Sequence, residues 1–168
     1  MLRYFAYGSN LLTARLRARV PSARPLGVAR LAQQTLEFSK RSWVDGSGKC
    51  TIVSGAEHDV VWGVVFEMDG VDRPALDRAE GLGNGYEERE VLVTLGGEDV
   101  EAFTYVVQPS HHQPGLVPWD WYLALVVGGA EEHGLPDEYV AGVRAQAADT
   151  DPDEERAARM WALVGRDT

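Results

Sequence analysis

Leu2-Arg3-Tyr4-Phe5-Ala6-Tyr7-Gly8-Ser9-Asn10-Leu11-Leu12 is the stretch whose reading decides the fold. It opens as an apolar, aromatic run of the kind that forms a buried strand. It then meets Gly8-Ser9-Asn10, residues of turns and caps, and passes into Leu11, Leu12 and Leu16 with Arg15, Arg17 and Arg19 among them. The pattern reads as strand, tight turn and short helix. Such a turn leaves backbone N–H groups unpaired at a helix start, and an anion such as a small carboxylate is stabilised there. A capped helix after an edge strand gives the same pattern, and spacing alone does not separate the two.

The rest of the chain narrows the class. Its 168 residues suit one domain with a sizeable core, and a 45% hydrophobic content excludes a disordered or fibrous protein. A net charge of −10 repels phosphate backbones, so nucleic acid is not an expected partner. Arginines gather in residues 15 to 30 without an aromatic-and-basic pattern. They read mainly as a solvated face, with one arginine holding an anionic substrate as the alternative. The longest apolar candidate, Tyr122 to Val127, is far too short to span a membrane, and no secretory signal is evident. The single cysteine, Cys50, allows no internal disulfide and no cysteine-based zinc site, and it fits a reducing, cytoplasmic setting.

In order, Pro21 and Pro25 are expected to close the first helix and mark a loop. Val28 to Phe38 reads as one long strand, Arg41 to Lys49 as a polar loop, and Cys50 to Ser54 as a short strand. Val60 to Phe66 is strongly strand-like, and Gly63 within it suggests a bulge or a close backbone approach. Asp72 is expected to cap a short helix with Pro74 in its first turn, Leu76 inward and an Arg73–Asp77 pair. That helix stops at Glu80-Gly81. Tyr86 to Leu95 and Val100 to Val107 read as a hairpin across Gly96-Gly97-Glu98-Asp99. Helices follow from Trp119 (ending near Gly128-Gly129 or running to His133), over Leu135 to Ala148, and over Asp153 to Val164, where Met160 and Trp161 pack. Strands dominate the first two thirds and helices the last, so the class is α+β.

Among titratable residues Glu80 stands out. It lies at the C-terminal end of a helix, where the dipole disfavours a carboxylate. Three glycines within five residues follow it, which lets the backbone approach a ligand. That placement suits a general acid or base, although an exposed glutamate ending a surface helix fits the pattern as well. Other motifs fail. Gly81-x-Gly83-x-Gly85 follows a helix, so it is no dinucleotide loop. Asp149, Asp151 and Asp153 resemble the opening of a calcium loop, but Pro152 interrupts it, Glu154 stands where glycine is needed and Met160 where the bidentate glutamate belongs. They read as the solvated start of a helix. Adjacent His111 and His112 point apart with no further ligand cluster nearby, so no metal is expected. Ser9 lacks a nucleophile elbow and a paired histidine, which favours a binding or capping role.

Tyr4-Phe5-Ala6-Tyr7-Gly8-Ser9-Asn10-Leu11-Leu12 resembles the signature loop of the γ-glutamylcyclotransferase family. Further segments are similar in the same order: Val28-Ala29-Arg30-Leu31, Val61-Trp62-Gly63-Val64-Val65, Leu76-Asp77-Arg78-Ala79-Glu80-Gly81, and Gly134-Leu135-Pro136-Asp137-Glu138-Tyr139. The Gly-Leu-Pro stretch points to the branch acting on γ-glutamyl amino acids. The resemblance covers nearly the whole chain, thinning at Arg41 to Lys49 and after Ala148.

The resemblance implies a single γ-glutamylcyclotransferase-like domain over 1–168, built as a small mixed β-barrel with packed helices. It implies an enzyme that cyclises a γ-glutamyl amino acid to 5-oxoproline and releases the free amino acid, with no cofactor and no metal. By position, Glu80 takes the catalytic glutamate's place. Tyr4, Phe5, Ala6, Tyr7, Gly8, Ser9 and Asn10 take the substrate-binding loop, and Tyr122 a substrate-contacting tyrosine. Tyr86 matches a further tyrosine across a glycine loop one residue shorter than the family's. The expected partner is a small γ-glutamyl substrate, without nucleic acid or membrane, and the family includes homodimers. A γ-glutamyl amine or γ-glutamyl-protected metabolite as substrate, and a non-catalytic domain that binds carboxylate ligands, stay open as alternatives.

Overall fold

The computed structural model describes residues 1–165. The strands are β1 (Leu2–Ala6), β2 (Arg24–Ala32), β3 (Gln34–Arg41), β4 (Gly48–Ser54), β5 (Val60–Met68), β6 (Tyr86–Leu95) and β7 (Glu98–Val107). The α-helices are α1 (Thr13–Arg17), α2 (Arg73–Glu80), α3 (Asp120–Glu132), α4 (Asp137–Arg144) and α5 (Glu154–Val164). Five strands close a barrel in the order β1-β5-β2-β6-β7. All neighbours are antiparallel except the closing seam, where Tyr4 of β1 meets Phe103 of β7 in parallel. The hairpin β3–β4 forms a separate ribbon, tied to the barrel where Val107 N–H donates to Thr51 Oγ1 at 2.9 Å. The class is α+β, with a barrel in the first two thirds and helices in the last, as the sequence indicates.

Phe5, Val61, Val64, Val65, Phe66 and Val93 are fully buried; because successive strand side chains point to opposite faces, the consecutive run Val64-Val65-Phe66 shows that β5 is covered on both. Helix α3 is apolar on most sides, with Trp121 to Leu123 and Leu125 to Val127 buried. A helix of that kind must be covered all round, and α4, α5 and the segment after β1 cover it. Gly129 makes the last of these contacts possible. A Cβ there would stand 2.3 Å from Leu12 N, so only glycine lets α3 cross the turn that carries Ser9 and Asn10. Gly63 plays a similar part in β5. It is a close approach, not a bulge: its Cβ would stand 2.3 Å from Ala6 O, and the ladders beside it run unbroken.

Several elements depart from the sequence reading. The run from Val28 to Phe38 is two strands, broken at Gln33, whose φ of 58° is left-handed. The turn is held because Gln33 N–H donates to Asp59 O at 2.7 Å and Gln33 O accepts from Gly55 N–H at 2.9 Å. Pro25 lies inside β2, at a bulge that spares the ladder its missing donor. Asp72 precedes α2 but its side chain caps nothing there; it accepts from Ser22 N–H (3.1 Å) and Oγ–H (2.5 Å) instead. The β6–β7 hairpin turns on Gly96-Gly97 alone, with Glu98 and Asp99 already paired. Helix α4 ends at Arg144, short of Ala148, whereas α3 runs on to Glu132 in keeping with the longer of its two expected ends. Asp151 is no solvated residue: it is 3% exposed and paired with Arg156.

Candidate active site

Glu80 is the last residue of α2, which stops because Gly81 takes a left-handed φ of 70°. The helix is fastened to the barrel along one side. Leu76 is fully buried, Asp77 accepts from Tyr105 Oη–H at 2.5 Å and from Arg73 Nε–H at 2.7 Å, and the Arg73 guanidinium lies 3.7 Å from the Phe103 ring centre. This aims Glu80 at the turn after β1. Its Oε1 accepts from Asn10 Nδ2–H and from Arg19 Nη1–H, both at 2.9 Å. Asn10 Nδ2 also donates to Tyr4 Oη at 3.0 Å, and Asn10 Oδ1 accepts from Arg19 at 3.0 Å. The charges fix the amide's orientation: the carboxylate needs a donor and the guanidinium an acceptor. Arg19 supplies positive charge beside a carboxylate that the helix end repels.

These groups face a narrow pocket lined by Tyr4, Tyr7, Gly8, Ser9, Asn10, Cys50, Glu80, Tyr86, Tyr105 and Tyr122. The hydroxyls divide by what they donate to. Tyr7 donates to Tyr105 O and Tyr86 to Cys50 O (2.6 Å), so both are committed to holding the walls. Tyr4 accepts from Asn10 and Tyr122 accepts from Cys50 N–H at 3.1 Å, which leaves each hydroxyl proton free for a ligand. Burial pushes all four phenols well up, so they stay neutral donors; at Tyr4 the nearby Glu80 charge adds to the effect. Burial likewise pushes the Cys50 thiol up to about 12, which makes it a wall and not a nucleophile. Cys50 packs so tightly on Gly8 that a Cβ at Gly8 would stand 3.0 Å from Cys50 Cβ.

The structure therefore brings Tyr4, Tyr7, Gly8, Ser9, Asn10, Tyr86 and Tyr122 together around Glu80. Phe5 and Ala6 are buried in β1 and do not line the pocket; Phe5 O accepts from Thr104 Oγ1–H at 2.7 Å. The first bond of the 3-10 turn at Ser9–Leu11 runs from Leu11 N–H to Gly8 O, so the amides of Ser9 and Asn10 precede it and remain available. The sequence reading took the arginine run mainly for a solvated face, with one arginine on an anionic substrate as the alternative, and singled out neither Arg19 nor Arg15. Arg19 binds Glu80, and Arg15 Nε–H donates to Ser9 Oγ at 3.1 Å. The available signal was their spacing of four on the chain that leaves the Gly-Ser-Asn turn, with Arg15 in α1 and Arg19 in the turn that ends it.

Beyond Glu80 the pocket opens into a cleft of about 440 Å³, walled by Lys40, Lys49, Trp121 and the Ser42 to Asp45 loop. That loop is held by Ser47 and Lys49 donating to Asp45. Among the described residues no cluster of His, Cys, Asp or Glu could hold a metal ion. His112 instead meets Glu37 at 3.2 Å. No helix among the described residues is long and apolar enough to cross a membrane.

Comparison with known proteins agrees with this geometry. A sequence model described as the AIG2-like family matches residues 60–143, from β5 through most of α4. The γ-glutamylcyclotransferase of Homo sapiens is 38% identical over 148 residues, covering 84% of this chain and 77% of the relative. That of Bos taurus is 39% identical over 142 residues, covering 81% and 73%. A solved structure of a γ-glutamyl cyclotransferase superposes with a TM-score of 0.84 at 31% identity, covering 98% of both chains. Matched over most of its length by these relatives and sharing the solved structure's fold, the chain belongs to the AIG2-like, γ-glutamylcyclotransferase family.

Proposed function

We propose that the protein is a γ-glutamylcyclotransferase that converts a γ-glutamyl amino acid into 5-oxoproline and a free amino acid, with Glu80 as the general acid and base. The observation that carries the reading is the 2.9 Å hydrogen bond from Asn10 to Glu80, which joins a carboxylate to a loop seventy positions earlier in one polar pocket. Family membership supports the reaction class.

The chemistry needs few parts. The substrate's own α-nitrogen attacks its γ-carbonyl carbon, so a five-membered ring forms as the amide C–N bond breaks. Overall the α-ammonium gives up two protons and the leaving nitrogen gains two. Glu80 takes one from the attacking nitrogen and passes it to the leaving one, while the other exchanges with water; such transfer typically contributes about 10²–10⁴-fold. Bending the glutamyl chain into the attacking conformer is the task of the pocket walls. The free hydroxyls of Tyr4 and Tyr122 and the amides of Ser9 and Asn10 are donors for the substrate carboxylate and the carbonyl oxygen as it gains charge.

In this reading residues 1–168 act as one domain on a small γ-glutamyl substrate, with no nucleic acid or membrane partner and no cofactor. A reducing, cytoplasmic setting suits the buried free thiol of Cys50, and pairing of two copies is compatible with it. The test is incubation with γ-glutamyl-alanine and chromatography for 5-oxoproline. Glu80→Gln lowers turnover by at least about 10²-fold with an unchanged circular dichroism spectrum. Full activity in that variant removes Glu80 from the mechanism.

A further inference from the structure

The cleft outside Glu80 carries a charge pattern that the cyclisation itself does not use. Glu80, Ser9, Tyr86 and Tyr122 line both the inner pocket and the cleft. A substrate whose glutamyl end fills the pocket therefore projects its leaving group into the cleft. In a chain of net charge −10, the cleft walls are mainly cationic. Three of the six cations are answered: Arg19 by Glu80, Lys49 by Asp45 and Arg156 by Asp151. Of the other three, Arg78 is exposed, Arg15 is half-buried and Lys40 is the most buried. It is 9% exposed and has no carboxylate partner among the described residues.

The Lys40 ammonium lies 4.9 Å from the Tyr86 ring centre, a weak substitute for a counter-ion. A space is kept for it. A Cβ on Gly85 would stand 2.9 Å from Lys40 Cε and 3.1 Å from Nζ, and Gly85 is fixed there by the bond from its N–H to Gln108 Oε1 at 2.9 Å. Glu80 and Asp45 act on the ammonium from beyond contact range, and a cation partly withdrawn from water with no anion against it is stabilised when one arrives. Arg15, half-buried on the opposite chain segment and, among the described residues, bonded to Ser9 Oγ and Met160 Sδ, adds to the positive field.

We propose that Lys40 binds the carboxylate of the leaving amino acid, so that the enzyme selects γ-glutamyl amino acids over γ-glutamyl amines and amides that lack this charge. The inference rests on the cyclotransferase reading and deepens it. Its ligand chemistry is a single carboxylate next to the scissile nitrogen, and Lys40 sets specificity without touching the reacting atoms.

The experiment compares 5-oxoproline release from γ-glutamyl-alanine and from γ-glutamyl-alaninamide, which differ only in that carboxylate. Wild type prefers the acid in kcat/KM by about 10–100-fold, the range of one charge-assisted hydrogen bond. In Lys40→Met the preference falls below about threefold, while Lys40→Arg keeps most of it. In wild type, raising KCl from about 20 to 200 mM lowers kcat/KM for the acid more than for the amide, which tests the idea even if Lys40→Met does not fold. Equal use of the two substrates by wild type overturns the inference and leaves the cyclotransferase reading intact. So does a Lys40→Met preference as large as that of wild type. No 5-oxoproline from either substrate overturns the reading and the inference together.

Discussion

Asp151 is the place to perturb how the cleft wall is held. Its side chain has no exposed surface and accepts from Arg156 Nε–H and Trp121 Nε1–H, both at 2.7 Å, and from Asp153 N–H at 2.9 Å. The Arg156 guanidinium first, then the amide and indole donors, hold its carboxyl down to about 2, from an ordinary 3.8. The folded protein therefore binds this proton less tightly than the unfolded chain does. The group's stabilisation is fully present above about pH 5 and is lost as pH falls from 3.8 toward 2. Nearly two pKa units at about 1.4 kcal/mol each give about 2–3 kcal/mol at neutral pH, of which about 1 kcal/mol is gone by pH 3. Asp151→Asn removes the charge, keeps the shape and leaves Arg156 with the longer, 3.3 Å pair to exposed Asp153. Urea unfolding at pH 7 should show a loss of about 2–3 kcal/mol, and the gap to wild type should narrow by about 1 kcal/mol at pH 3. A loss under about 0.5 kcal/mol at pH 7, or a gap that does not change with pH, refutes the reasoning. The same variant frees the Trp121 indole, which lines the cleft beside Lys49.

Three further outcomes follow from the geometry. Gly63→Ala puts a Cβ 2.3 Å from Ala6 O and 2.7 Å from the Phe5 ring, so it costs about 3 kcal/mol or more by thermal or urea melting. Arg19→Met strips one of two donors from Glu80 and lowers 5-oxoproline formation by about 10–100-fold, with circular dichroism unchanged. Cys50, buried and with its thiol pushed up to about 12, resists iodoacetamide in the folded protein and is fully labelled in urea, as mass spectrometry reads directly.

Much of the fold was legible because it follows local rules. Aromatic β1, Gly81 after Glu80, the glycine pair between β6 and β7 and the apolar run of α3 each declare themselves through periodicity or turn chemistry. The break at Gln33 did not, because glutamine is not a residue that announces a left-handed turn; it is held there by Asp59 and Gly55, which are distant in sequence. Asp151 was misread for a related reason: a buried, paired aspartate and a solvated one are the same letter until Arg156 and Trp121 are seen around it. Around the site, the resemblance marked Glu80 and the opening loop. Lys40 and Cys50 stayed hidden, since nothing local says that the separate β3–β4 ribbon faces the pocket of β1 and α2.

The closing seam of the barrel also sets the order in which the site can form. Tyr4 meets Phe103 across nearly a hundred residues, and β1 finds its longer partner, β5, only after β2 to β4 have gone by. Contacts of such high sequence separation are slow, because the loop entropy is lost before the pairing compensates for it. The Gly8-Ser9-Asn10 turn hangs on β1, and Glu80 reaches it only once β7 has anchored α2 through Tyr105. During synthesis β1 thus emerges before both strands it pairs with, and it is among the last elements to be locked in place. Activity should appear together with the cooperative folding transition and not before it.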